Sequence, residues 1–143
     1  MSESPQYAAR RAVQMRLSGA GAWGNRVRQD RGLATWEFPY VVHVFSGGGE
    51  RNRRKQKSDP EVVLLVKAVS DNASQATAAA AAIATLLDDS GIQDDADDYL
   101  QGGASWSILA ITQEDYISYT EYVSETRTIY HEGARYRFVM EAI

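Results

Sequence analysis

Phe38–Phe45 reads FPYVVHVF and Glu61–Val69 reads EVVLLVKAV, with Ser46–Pro60, SGGGERNRRKQKSDP, between them. The flanks are dense in β-branched and aromatic residues, which fit a pleated and at least half-buried surface. They predict two strands. Pro39 belongs at the start of the first, where its missing N–H costs no ladder bond. His43, between Val42 and Val44, reads as a packed strand histidine, with no carboxylate or second His near it in sequence. The connection is too long for a tight hairpin turn, and three successive glycines cannot hold one backbone conformation cheaply. It carries a basic cluster, Arg51, Arg53, Arg54, Lys55 and Lys57. Long loops in compact domains serve function or stay disordered. Length and charge together predict a β-hairpin arm over 46–60 that orders against an acidic protein surface or nucleic acid. A solvated tip is the plainer alternative.

Two helices flank this pair. Ser4 is placed to cap a helix over Ser4–Leu17, with Pro5 at its first position. Tyr7, Ala8, Arg11, Ala12 and Met15 follow helical spacing, and Ser18-Gly19 ends the run. Gly19–Gly24, GAGAWG, lacks the Lys-Ser/Thr of a phosphate loop and reads as a flexible connection. Asn25–Gln29 reads as a short edge strand. After the second strong strand, Asn72 with Gln75 forms a capping pattern for a helix over Ala73–Leu87, closed by Gly91. Its alanine block, Ala78–Ala82, favours close packing on a sheet. The stretch Asp88–Asp98 then carries Asp88, Asp89, Asp94, Asp95, Asp97 and Asp98. Calcium-loop spacing fails there, so it reads as a solvated acidic loop and a mate for a neighbouring copy's basic arm.

The last third is β-rich. Ser105–Ile111 alternates. Asp115–Val123 places Tyr116, Ser118, Thr120 and Tyr122 on one face and Ile117, Tyr119 and Val123 on the other. Arg127–Tyr130 and Arg135–Met140 read as a hairpin turning at Glu132-Gly133-Ala134. Tyr116, Tyr119 and Tyr122 suit either a protein–protein contact or cross-strand packing, because a rigid ring covers area at little entropic cost.

Composition narrows the chemistry. The chain has 143 residues, 15.8 kDa, no Cys and 2 His. One domain, 1–143, accounts for that length. Thiol catalysis, disulfides and multi-histidine metal sites are excluded. No run is long and apolar enough to span a membrane, so the chain is expected to be soluble and cytosolic. The formal charge of -4 is uneven: +6 over Met1–Pro60 and -10 over Glu61–Ile143. Such asymmetry points to a charged partner, or to copies meeting head to tail. No nucleophile elbow, HExxH, Walker or zinc pattern is present, and carboxylate pairs fall only in the acidic loop. The expectation is no enzyme, no cofactor, no metal and no catalytic residue.

The order helix, weak strand, strand, arm, strand, helix and β-rich end resembles the tail terminator or tail-completion proteins of long-tailed bacteriophages, with their minor head–tail joining relatives. The residues that carry the likeness are MRLSG (15–19), Gly24-Asn25-Arg26-Val27, Phe38-Pro39-Tyr40-Val41-Val42, EVVLLVKAVS (61–70) with its following helix, and YHEGARYRF (130–138). The resemblance spans nearly the whole chain. It implies an α+β fold: a mixed, mainly antiparallel sheet of about four to six strands, with two helices on one face and the long hairpin arm. It also implies a virion protein of the tail or neck, present in the host cytoplasm during assembly. Such a protein forms a homohexameric ring that caps the tail tube, ends its polymerisation and joins tail to head. The implied partners are further copies of itself, the tail tube protein, a head-side connector or stopper protein, and DNA passing through the lumen, with no membrane. The expected contact residues are the arm cations, Asp94, Asp95, Asp97, Asp98 and the three tyrosines. Two other readings remain open: a different head–tail connector, and a nucleic-acid module using the arm with Arg10, Arg11, Arg26 and Arg28.

Overall fold

The computed structural model describes residues 4–30, 37–48, 61–87 and 106–142. Its elements run α1 (Pro5–Leu17), β1 (Val27–Gln29), β2 (Tyr40–Gly48), β3 (Glu61–Ser70), α2 (Ala73–Leu86), β4 (Trp106–Ser124) and β5 (Arg127–Ala142). The strands form one sheet in the order β1-β2-β3-β5-β4. Only the β1–β2 pair is parallel, so the sheet is mixed and mainly antiparallel, as the sequence led us to expect.

Both helices start where side-chain caps place them. Ser4 Oγ accepts the Tyr7 N–H at 3.1 Å, and Asn72 Oδ1 accepts that of Gln75 at 3.0 Å. α1 buries Ala8, Ala9, Ala12, Val13 and Leu17, and α2 buries Ala76, Ala79, Ala80 and Ile83. These small side chains bring both helices close to one face of the sheet. There they meet Val41, Val62, Leu64, Val66, Ala68, Phe138 and Met140 in one continuous core. The opposite face holds a smaller cluster, Val42, Val69 and Ile129, with Phe38, Tyr40 and Val44 against it. β3 lies at the centre of the sheet and is buried on both faces, which explains its nearly unbroken apolar sequence.

Two expectations are corrected. The glycine-rich segment after α1 is a packed turn. Trp23 is fully buried and its Nε1–H donates to the Leu17 carbonyl at 2.6 Å, while Gly19 N–H donates to Gly24 O at 2.7 Å. Gly19 and Gly24 hold positive φ, and a Cβ on Gly21 would collide with the Trp23 ring. The loop is glycine-rich because an indole must fit inside it. The second correction concerns the C-terminal hairpin. β4 and β5 are each continuous, and the chain reverses at Glu125-Thr126. Gly133 sits in mid-strand, where a Cβ would stand 2.1 Å from the Val66 carbonyl oxygen. Its glycine answers to close strand approach, not to a turn.

Candidate functional site

Tyr116, Tyr119, Tyr122 and Val123, all on β4 of the β4–β5 ribbon, are large side chains that the core leaves exposed. β5 pairs with β3 from Tyr130 to Val139, while β4 lies outside it as the last strand of the sheet. Period-two alternation sends Tyr116, Ser118, Thr120 and Tyr122 to the helix-bearing side and Ile117 and Tyr119 to the other, as the sequence pattern predicts; Glu121 shares that second side, while Val123, expected there too, falls in the register break between Tyr122 and Ser124. Tyr116, Tyr119 and Tyr122 are 55%, 45% and 78% exposed, so core packing does not account for them.

Each tyrosine except the outermost is oriented by a polar partner across the ladder. Tyr116 and Ser118 both donate hydroxyls to the Glu132 carboxylate, the serine at 2.6 Å. That bond, then burial, pushes the Tyr116 phenol up to about 12. Tyr119 stacks on His131 with ring centroids 4.4 Å apart, and Lys67 Nζ donates to its hydroxyl at 2.5 Å. His131 Nε2 lies 2.9 Å from Glu121 Oε1. Burial holds the His131 imidazole below its ordinary range, with Glu121 working against that shift. Lower on the same face, Arg137 bridges Glu61 and Glu114, both at 2.6 Å. Hydrogen bonding to Arg137 holds the Glu114 carboxyl below its usual range. Arg135 reaches Asp115 at 3.3 Å and Ser46 at 3.0 Å. The sequence reading missed Lys67, His131, Glu121, Glu132, Arg135 and Arg137. Their pairing follows from a turn at Glu125-Thr126, and a turn misplaced at Glu132-Gly133-Ala134 hides it.

His43 is a core histidine. It is 2% exposed on the helix side of β2, and its Nε2–H donates to Gln14 Oε1 at 2.8 Å. Gln14 spends its amide N–H on the Val27 carbonyl at 2.8 Å, which fixes the orientation of its amide. Burial first, then Arg10, lowers the imidazole to about 4. It is a neutral packing group. Of the cations read as an extension of the arm, Arg10 lies against the Phe45 ring, Arg11 against Tyr7, and Arg26 donates to the Pro39 and Ala22 carbonyls. Arg51, Arg53, Arg54, Lys55, Lys57, Asp94, Asp95, Asp97 and Asp98 lie outside the described residues, as does Gly91. Among the described residues no group of three His, Asp or Glu side chains is placed to hold a metal ion. Among them, too, no helix is long and apolar enough to cross a membrane.

What these residues form is an exposed, tyrosine-bearing edge of the sheet. No family model matches the chain, and no curated protein matches it. Solved structures do share its fold. A chain described as "Virion of native gene transfer agent (GTA) particle" superposes with a TM-score of 0.63 at 15% identity, over 97% of this chain and 99% of that one. A second solved chain superposes with a TM-score of 0.54 at 14% identity, over 97% of each.

Proposed function

We propose that this chain is a structural protein of a phage-like virion, of the tail terminator type. In this reading it forms a ring that caps the tail tube, ends its polymerisation and offers the surface to which the head attaches. The observation that carries the proposal is the fold shared, nearly end to end, with a chain of a gene transfer agent virion. The surface supports it: exposed tyrosines stand where an interface core would need rigid, amphipathic rings. A ring needs a head-to-tail interface that closes on itself. Basic and acidic stretches at separate places in the chain, Arg51–Lys57 and Asp94–Asp98, provide opposed charges for register and encounter rate. The chain acts through complementarity, with no reaction of its own, as one domain over 1–143.

Light scattering after size exclusion, with and without tube protein, tests this reading. The expected outcome with tube protein is tubes of limited length bearing a ring of the chain at one end. A chain that leaves tube polymerisation unchanged at high concentration overturns the terminator role. Binding to a head-side connector with no effect on tubes moves the assignment to another joining protein.

A further inference from the structure

The two edges of the sheet are built differently. At β1 the backbone is already engaged: the Val27 carbonyl accepts from Gln14, and its N–H donates to Asn25 O at 2.9 Å. β4 is 19 residues long and contains no Lys or Pro, the commonest residues to blunt an exposed edge, and between Tyr116 and Tyr122 its single charge is Glu121. Its register against β5 is broken between Ile108 and Ala110, Gln113 and Tyr116, and Tyr122 and Ser124. Bulges deter further pairing where they occur. They leave Tyr116–Tyr122 as an unbroken run, exposed at every residue but the half-buried Ile117.

That run reads YISYTEY, nearly the same in both directions. Tyrosine occupies both ends and the centre, and a hydroxyl residue flanks the centre on each side. We infer that Tyr116–Tyr122 pairs, antiparallel and about a two-fold axis at Tyr119, with the same run of a second copy. In this register Tyr116 faces the partner's Tyr122, Ser118 faces the partner's Thr120, and Tyr119 faces the partner's Tyr119. Aromatic pairs and Ser–Thr pairs are the favourable cross-strand combinations. Ile117 faces the partner's Glu121, so no carboxylate opposes another. A slip of two residues sets Glu121 against Tyr119 and leaves Tyr116 outside the pairing. The axis stands perpendicular to the sheet, so both copies keep their helices on one side of a joint sheet of ten strands. An isologous contact closes on itself and makes no ring alone, so the pairing is separate from the ring proposed above.

The chain lacks cysteine, so Tyr119→Cys sets one thiol on the axis. Directly opposed residues of an antiparallel pair lie about 4.5–5.5 Å apart at Cα, within disulfide reach. The expected results, without tube protein, begin with a concentration-dependent mass of twice 15.8 kDa for the parent chain. Tyr119→Cys should cross-link rapidly under mild oxidation, and the exposed Val123→Cys, outside the run, far more slowly. Ser118→Lys with Thr120→Lys should give monomers, as should the corresponding Glu pair. An equal mixture of these two variants should regain the doubled mass. Circular dichroism reads whether each variant is folded. A parent chain monomeric at all concentrations, or equal cross-linking at 119 and 123, overturns the inference. A six-copy mass that the Lys pair leaves unchanged overturns it too, while the ring reading stands. A dimer that ignores tubes does the reverse.

Discussion

The β4–β5 ribbon has two halves made by the same ladder and held by different forces. At its root, Ile108, Ile111, Phe138 and Met140 are buried beneath the helices, and apolar burial fixes the register. Toward its tip, Tyr116–Tyr122 are exposed apart from the half-buried Ile117, and the register rests on ring stacking and hydroxyl–carboxylate bonds, with Gly133, opposite Ile117, where the two halves meet. The root spends its side chains on folding. The tip keeps most of its side-chain area free, which is the property a docking surface requires.

If that division holds, substitutions at the root must cost stability and those at the tip must cost association. Phe138→Ala has the largest expected effect, about 3–5 kcal/mol from lost burial and the cavity left beneath α2. Urea denaturation should show a lower midpoint at unchanged slope. A loss below about 1 kcal/mol would mean that the root is not where the ribbon is anchored. Gly133→Ala comes next. Its Cβ would meet Val66 O and, at 2.5 Å, Lys67 Cα, both backbone atoms that yield only if β3 and β5 part. The expected loss is about 1–3 kcal/mol, although an alanine in an open strand would ordinarily be favoured over glycine. A neutral result would show that the strands separate freely at the boundary between the halves.

The same boundary separates what sequence alone reveals from what it conceals. α1 and α2 are legible because Ser4-Pro5 and Asn72–Gln75 are local signals, answered within one turn. β2 and β3 are legible because burial on both sides demands β-branched runs. The turn of the last hairpin is not. Glu125-Thr126 carries no glycine, while Gly133 does, and a glycine kept for strand proximity looks like a glycine kept for a turn. The tyrosine face of β4 follows from alternation, yet the partners that orient it, Lys67 and His131, lie on other strands. No local pattern announces them. The indole-filled turn at Trp23 is concealed for the same reason: its glycines are set by a ring that folds back over them.

Titration contrasts the two histidines across this divide. His43, enclosed beneath α1, is lowered from 6.5 to about 4, so the unfolded chain binds its proton more readily. The stability tied to its neutral form is complete above pH 6.5 and declines as pH falls toward 4, by at most about 1.4 kcal/mol per unit. His131 is shifted the same way by burial but opposed by Glu121, and its part of the slope should be smaller. Urea midpoints at pH 7 and pH 5 measure this. His43→Phe should flatten the dependence more than His131→Phe. The opposite order would place the more enclosed imidazole in the tip and undo the contrast.

Tyr122→Ala carries the smallest expected change in stability and the sharpest meaning. The side chain is 78% exposed, at the last residue before a bulge and opposite Thr128. Its removal empties no core, so the melting free energy should stay within about 0.5 kcal/mol. In the two-fold pair the same ring covers the partner's Tyr116, and symmetry counts that contact twice. Sedimentation should therefore show weaker self-association in a chain whose thermal unfolding is unchanged. A stability loss above about 1 kcal/mol would give the ring a packing role inside one copy. The tip would then be an extension of the root, its tyrosines kept for folding.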